Sequence, residues 1–108
     1  MANFKGNRYM TRGINADIHP VLQNTMWSMI DEDIAVDLTM DYLQVFNLKP
    51  VTENGKRFQE IKHTQEQPKR ERILNVDFYA NLGIAPISEK VFVIDSGEYV
   101  TMMLADEY

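Results

Sequence analysis

The sequence predicts an α+β domain in which one N-terminal amphipathic helix packs on a mainly antiparallel, strongly curved sheet of five to six strands. Two observations predict this class. Apolar residues recur with the 3.6-residue period of a helix from Pro20 to about Glu32. From Tyr42 onward, short runs rich in β-branched and aromatic residues alternate with turn signals. A helix followed by a series of strands is typical of α+β folds.

The length and charge of the chain limit what it can be. Its 108 residues are enough for a single domain over residues 1–108 with its own core. The absence of cysteine excludes disulfide scaffolds, thiolate metal sites and a cysteine nucleophile. The net charge of −5 argues against non-specific nucleic-acid binding, which depends on excess lysine and arginine. Because no apolar run resembles a membrane span or a secretory signal, we expect a cytoplasmic protein.

The first predicted elements are a short strand and the helix. The strand covers Arg8–Ile14 and is ended by Gly13. Polar residues then precede Pro20, which suits the first turn of a helix. The apolar face of this helix is formed by Leu22, Met26, Met29 and Ile30. Asp33 would fall on the same face, so we expect the helix to end before it.

Five strands are predicted after the helix, and turn residues separate them. They cover Tyr42–Leu48, Lys56–Gln65, Arg70–Phe78, Lys90–Asp95 and Glu98–Ala105. Asn54-Gly55 is the strongest short hairpin signal in the chain, and Ser96-Gly97 marks a second hairpin. Pro50 and Pro68 are expected to end the strands before them, and Ala80–Ser88 is expected to be a loop.

The strands differ in the polarity of their faces. Both alternating faces of Tyr42–Leu48, Lys90–Asp95 and Glu98–Ala105 are apolar, which predicts that these strands are central. Neither face of Lys56–Gln65 is apolar, so this strand is expected at an edge or as a projecting hairpin arm. One helix covers only one face of such a sheet, so the other face must curl strongly, take the Ala80–Ser88 loop as a lid, or pack on a second subunit in a twofold homodimer. Trp27, at the border of the helix's apolar face, is the candidate interface residue.

Four segments of the chain resemble a known family of small proteins. They are Arg8–Ile14, the helix that contains Trp27, Asp41–Phe46 and Met102–Tyr108. On these segments the chain is similar to domain of unknown function 960, which is found mainly in Gram-positive bacteria and their mobile elements. The resemblance covers nearly the whole chain. It implies a cytoplasmic, bacterial, single-domain protein without an assigned activity, ligand or catalytic residue.

Residues suited to catalysis or metal binding are few. His19 and His63 are far apart and lack the spacing of metal ligands. His63 with Glu66 is a weak candidate for an acid–base pair, and His63 is expected to be a solvated edge histidine. The acidic run from Asp31 fails the EF-hand pattern, because Val36 stands where glycine is required. Since phosphate-binding and nucleophile motifs are also missing, we assign no catalytic, cofactor or metal residue.

The middle of the chain is basic. Residues 49–72 contain seven basic and four acidic residues, whereas the formal charges of the two flanking segments sum to −8. Arg70 and Arg72 share one strand face, and Lys56 and Lys62 share one face of the strand before it. Pairing of the two strands would bring these four side chains together as a candidate patch for an anion or an acidic partner. The alternative is that they pair across strands with Glu60, Glu66 and Glu71.

Three functions remain open at this point. The leading hypothesis is a non-catalytic interaction module that binds a protein partner or itself, as a homodimer. The alternative is a small-molecule enzyme with a pocket between helix and sheet, in which His63 and the two arginines supply the polar groups. A weaker alternative is a nucleic-acid-associated accessory protein of mobile elements, which the negative net charge opposes.

Overall fold

Six strands form one sheet in the computed structural model, which describes residues 2–108. In chain order the elements are β1 (Asn7–Met10), α1 (Arg12–Asp17), α2 (Pro20–Ala35), β2 (Leu43–Glu53), β3 (Lys56–Gln65), β4 (Arg70–Val76), α3 (Phe78–Leu82), β5 (Glu89–Asp95) and β6 (Tyr99–Leu104), followed by a 3₁₀ turn over Ala105–Glu107. The strand order is β1-β6-β5-β2-β3-β4. β1 and β6 are parallel, and every other pair is antiparallel. The mixed α+β class with a mainly antiparallel sheet is therefore confirmed.

Local signals located two boundaries correctly. Nδ1 of His19 accepts a hydrogen bond from the backbone N–H of Val21 at 3.0 Å, and Pro20 is the first residue of α2. Asn54 and Gly55 connect β2 to β3 with φ angles of 50° and 79°. Positive φ at both residues is what a two-residue hairpin turn of type I′ requires.

The helices are more numerous and longer than the sequence pattern predicts. Residues 12–14, which were expected at the end of the first strand, lie in α1 instead. Thr11 caps this helix, because its hydroxyl accepts a hydrogen bond from the N–H of Ile14 at 3.4 Å. The first three residues of the expected loop Ala80–Ser88 belong to α3. Asp77 caps this helix by accepting a hydrogen bond from the N–H of Ala80 at 2.9 Å. The predicted end of α2 before Asp33 is also wrong, because the helix continues to Ala35.

β2 extends through the proline that was expected to end it. Pro50 pairs with Gln59 of β3. The pairing of β2 with β5 has already ended at Leu48 and Glu89, so Pro50 lies where the strand has a neighbour on one side only. Proline is tolerated at such a position, because a missing N–H there need not remove a ladder hydrogen bond.

The sheet is open, with β1 and β4 as its two edges. β2, β5 and β6 are interior, as predicted. The prediction that Lys56–Gln65 forms an edge is wrong, since β3 lies between β2 and β4. The expected strong curvature is likewise not found, because the edge strands do not approach to pair with each other.

The hydrophobic core lies on one face of the sheet. Buried side chains of α1 and α2 pack there against those of the inner strands: Ile14, Leu22, Met26, Met29 and Ile30 against Phe46, Leu48, Ile61, Val91, Val93, Val100, Met102 and Leu104. The opposite face, which we call the open face, carries Leu43, Val45, Phe92, Ile94 and Met103, all partly exposed and none in the core cluster. No helix within residues 2–108 has the length and hydropathy needed to cross a membrane.

Candidate functional site

The first candidate site is a polar cluster around Asp33. This residue belongs to α2 and is buried between the helix and the sheet. Only 2% of the Asp33 side chain is exposed. Nη1 of Arg70 lies 2.8 Å from Asp33 Oδ2, and Nη2 of Arg72 lies 4.0 Å from Asp33 Oδ1. Because buried carboxylates need compensating charge, these two arginines explain how α2 continues through an aspartate on its apolar face.

Arg72 also holds the neighbouring turn of α2. Its Nη1 donates to Glu32 Oε2 at 3.0 Å, and its Nη2 donates to the backbone oxygen of Met29 at 3.0 Å. Both arginines are about two-thirds buried, with side-chain exposures of 32% for Arg70 and 29% for Arg72. Their guanidinium groups therefore dock the last turns of α2 on β4.

His63 lies beside this cluster and is buried, so the expectation of a solvated edge histidine is wrong. It is 3% exposed, and its ring stacks on Phe46 with centroids 4.2 Å apart. Burial lowers the pKa of His63 to about 4; the Asp33 carboxylate acts in the opposite direction, and Arg72 and Arg70 lower the pKa further. The imidazole is therefore neutral at pH 7.

A glutamine network fixes the tautomer of His63. Nε2 of Gln44 donates to the backbone oxygen of Asp41 and to Oε1 of Gln65, each at 2.8 Å. Oε1 of Gln44 therefore faces His63 Nε2 at 2.6 Å, and we assign the imidazole proton to Nε2. Nδ1 is then an acceptor, 3.9 Å from Asp33 Oδ2 and without a donor among the described residues.

The arrangement around His63 leaves little space for a substrate. Gln65 completes the network by donating to the backbone oxygens of Thr39 and Pro68 at 3.0 and 2.8 Å. The cavity that opens next to the cluster has a volume of about 90 Å³ and is lined by Met29, Glu32, Arg72, Ile73 and Leu74. Small-molecule sites are several times larger, and His63 does not line this cavity. Glu66 is exposed in the turn after β3. The cluster is built to hold α2 on the sheet.

The four residues of the candidate basic patch lie on two faces of the sheet. His63 pairs with Arg72 and Lys62 pairs with Ile73, so the register places the arginines on the helix side and Lys62 on the open face. Lys62 Nζ lies 2.9 Å from Glu71 Oε1, which raises the pKa of Lys62. Lys56 lines a surface cleft of about 430 Å³ at the β2–β3 hairpin, together with Arg57, Asp77 and Tyr79 among others. The structure thus brings only Arg70 and Arg72 together.

Trp27, the candidate interface residue, is partly buried on α2. Its ring packs against the edge of the core cluster. The guanidinium carbon of Arg8 lies 4.7 Å from the ring centroid, and Arg8 also pairs with Asp31 on the same helix. The remaining exposed part of the indole stays a candidate contact surface beside this cation.

The second candidate site is a groove on the open face. It has a volume of about 530 Å³ and is lined by Asp41, Tyr42, Leu43, Val45, Asn47, Thr64, Gln65, Glu66, Lys69 and Lys90. The register places Val45 between Thr64 of β3 and Phe92 of β5, so aliphatic side chains form its floor. The apolar second face of Tyr42–Leu48 signals this surface in the sequence, but nothing in the sequence identifies its rim.

Aromatic and basic side chains surround this groove. Tyr42 is 53% exposed and Tyr108 is 72% exposed. The ring of Tyr108 meets Phe92 edge-on at 5.6 Å, and the nearby Tyr108 phenol raises the pKa of Tyr42. Nζ of Lys90 lies 5.8 Å from the Phe92 ring. The groove is therefore apolar at its floor and amphipathic at its rim.

Comparisons with known proteins identify relatives but no activity. The family model described as "Staphylococcal protein of unknown function (DUF960)" matches residues 7–107. A structure described as "Crystal structure of the protein of unknown function from Enterococcus faecalis" has a TM-score of 0.75 and 22% identity, over 100% of this chain and 97% of that chain. At this identity the likeness shows the fold alone. No protein with a curated description matches the sequence.

Proposed function

We propose that this chain, which belongs to the DUF960 family of proteins of unknown function, is a non-catalytic interaction module that binds a segment of a partner protein in the groove of its open face. The apolar floor of the groove carries the proposal, and its volume of about 530 Å³ leaves room for the side chains of a bound segment. Its floor exposes aliphatic side chains on a sheet face that contributes nothing to the core cluster. Contiguous apolar surface of this kind marks interaction sites.

The chemistry of the groove indicates the kind of partner. Leu43 and Val45 offer contact to aliphatic or aromatic anchors. Tyr42 and Tyr108 add exposed rings that combine an apolar body with a polar tip, a composition enriched at protein interfaces. Lys90 makes no ion pair within residues 2–108. We therefore expect the partner segment to insert apolar side chains and to place a carboxylate next to Lys90.

The other two hypotheses fit these surfaces less well. The helix–sheet boundary that an enzyme would use is occupied by the Asp33, His63 and arginine cluster. A nucleic acid would require a row of unpaired cations, but Lys49 and Lys62 on the open face are paired with Glu60 at 3.8 Å and Glu71 at 2.9 Å. A protein segment uses both the apolar floor and the two lysines of the groove, Lys69 and Lys90, which make no ion pair within residues 2–108.

The test uses one charge reversal and one introduced charge in the intact chain. Proteins retained from a bacterial lysate by the immobilised chain are purified one by one, and each is titrated calorimetrically against the parent, Lys90→Glu and Val45→Glu. Lys5→Glu is the matched control, because it makes the same reversal at an exposed position outside the groove. Circular dichroism establishes that each variant is folded.

We expect at least one purified partner whose Kd is tenfold or more higher for Lys90→Glu and Val45→Glu than for the parent, and unchanged for Lys5→Glu. Two results contradict it. One is that no retained protein binds the chain directly, and the other is that the groove variants bind as tightly as the parent. Salt-sensitive binding of a DNA oligonucleotide that Lys62→Glu abolishes would instead favour the nucleic-acid hypothesis.

A further inference from the structure

We infer that two copies of this chain associate edge to edge, with their β4 strands paired antiparallel about a twofold axis at Ile73. This surface lies on the edge of the sheet and differs from the groove. Within the described residues, β4 pairs with β3 on one side and with nothing on the other. An edge strand with unpaired backbone groups is a template for pairing with another chain.

The C-terminal half of β4 lacks the features that normally prevent such pairing. Natural edges are protected by charges, proline, bulges or very short strands. β4 is seven residues long, and its stretch from Ile73 to Val76 carries no charge and no proline. Ile73 is 52% exposed and Leu74 is 38% exposed. The charges earlier in the strand do not protect it either, because Arg70 and Arg72 are engaged by α2 and Glu71 is paired with Lys62 of β3.

Among the registers centred near the middle of β4, the sequence favours one. A twofold axis perpendicular to the sheet keeps both open faces on one side, so opposed residues must belong to the same face. Centring the pair on Arg72 would place two guanidinium groups opposite each other, and centring it on Leu74 would place Glu71 opposite Asp77. Like charges in directly opposed positions are destabilising.

The register centred on Ile73 has no such conflict. In that register Ile73 meets its own copy on the open face, and Glu71 is opposite Asn75. On the helix side Arg72 is opposite Leu74, and Arg70 is opposite Val76. The pairing therefore joins apolar side chains at the axis and places no two like charges opposite each other.

A notch at the edge of the sheet fits the same register. It has a volume of about 90 Å³ and is lined by Met29, Glu32, Arg72, Ile73 and Leu74. Because Leu74 of the second copy is opposite Arg72 on the helix side, its side chain enters this notch. The volume suits one aliphatic side chain, and the two symmetric notches are filled by the two copies of Leu74.

Pairing in this way has a consequence for the groove. The two sheets become one continuous sheet, and their open faces lie on the same side. A dimer then presents two grooves to the same partner or surface, which increases apparent affinity when both are engaged. The dimer itself does not depend on the proposed function of the groove.

The test measures mass in solution by light scattering during gel filtration and by sedimentation equilibrium at tens of micromolar. The parent is expected at about twice its chain mass of 12.6 kDa. Ile73→Lys and Ile73→Glu place like charges on the axis at an exposed position, and each is expected to be monomeric. An equimolar mixture of the two is expected to recover the dimer, because opposite charges then meet.

Asn75→Lys is the matched control. It introduces the same charge on the same strand and face, but opposite Glu71 of the second copy, so the dimer is expected to persist. A parent mass of 12.6 kDa throughout would overturn the proposal. So would a dimer that survives Ile73→Lys, and loss of the dimer in Val45→Glu would assign the interface to the open face. Failure of groove binding in a protein that remains dimeric would contradict only the proposed function.

Discussion

Nη1 of Arg70 lies 2.8 Å from Oδ2 of Asp33, and this contact joins a buried carboxylate of α2 to the edge strand of the sheet. The cost of burying Asp33 is offset by Arg70 and, at 4.0 Å, by Arg72. Two arginines that the sequence pattern assigns to an external anion are thus engaged within the protein. Their arrangement makes the attachment of α2 depend on charge as well as on apolar packing.

Asp33→Ala is expected to lower the free energy of unfolding by about 3 kcal/mol, because it leaves the partly desolvated guanidinium group of Arg70 without a counter-ion and Arg72 with Glu32 alone. Urea denaturation at pH 7 measures the change. Asp31→Ala is the matched control on the same helix, since Asp31 pairs with Arg8 at the surface and is 56% exposed. The control is expected to cost less than about 1 kcal/mol. Equal effects of the two substitutions would show that Asp33 is not held as described.

Charge reversals on the two neighbouring strands should have different outcomes. Arg70→Glu places a second carboxylate beside buried Asp33 and is expected to lower the melting temperature by many degrees. Lys62→Glu disrupts only an exposed pair with Glu71 and is expected to leave it nearly unchanged. Differential scanning calorimetry of the single variants distinguishes them. The candidate basic patch groups both residues on one exposed surface, where neither reversal would affect folding, so a stable Arg70→Glu variant would favour that placement.

The sequence predicts the elements with local signals and fails where burial depends on distant partners. The His19-Pro20 cap and the Asn54-Gly55 turn are read correctly, because their causes lie within a few residues. Asp33 is misread as a helix end, because its counter-ion comes from a strand far along the chain. No periodicity reports such a pairing.

The position of β3 was missed for the same reason. Its core-facing residues are Gln59, Ile61, His63 and Gln65, so a pattern of hydrophobicity shows no buried face. The glutamines are nevertheless buried because neighbouring backbone and side chains satisfy their hydrogen bonds, and Nε2 of His63 is bonded to Gln44. The apolar second face of the inner strands, which forms the groove, was predictable from the sequence. The separation of Lys62 from the two arginines was not, because it depends on the register between β3 and β4.

His63 makes stability depend on pH. Its pKa is about 4 in the folded protein, lowered by burial from an ordinary value of 6.5. Between these values the unfolded chain binds more protons than the folded protein, so the free energy of unfolding falls as the pH falls. The full effect is on the order of 3 kcal/mol. Urea denaturation from about pH 7 to about pH 5 measures more than half of it, before most carboxylates of the unfolded chain begin to bind protons.

Two histidine variants check the assignment of this pH dependence. His63→Gln removes the titrating group and keeps a donor that can reach Gln44, so the stability curve over this range is expected to flatten. His19→Asn keeps an acceptor at the start of α2 and is expected to retain the slope of the parent. If the slope disappears with His19→Asn, or persists with His63→Gln, the buried imidazole is not its source.

Glu107 ties the end of the chain to the start of α1. Its carboxylate accepts hydrogen bonds from the Thr11 hydroxyl at 2.6 Å, the Leu104 N–H at 2.9 Å and the Gly13 N–H at 3.1 Å. The first of these bonds is the main cause of the lowered pKa of Glu107. A Cβ atom on Gly13 would lie 2.7 Å from the same carboxylate, so a side chain at position 13 would displace the Glu107 carboxylate from its donors.

A double-mutant cycle over these two residues tests that relationship. Gly13→Ala in the parent is expected to destabilise the protein by about 1–3 kcal/mol, because the new methyl group displaces the carboxylate from its donors. In a Glu107→Ala background the same substitution should stabilise by about 0.5–1 kcal/mol, since Gly13 lies within α1 and alanine is the better helix former. Urea denaturation of the four proteins gives the coupling energy. Additive effects would show that the backbone of α1, and not Glu107, excludes a side chain at position 13.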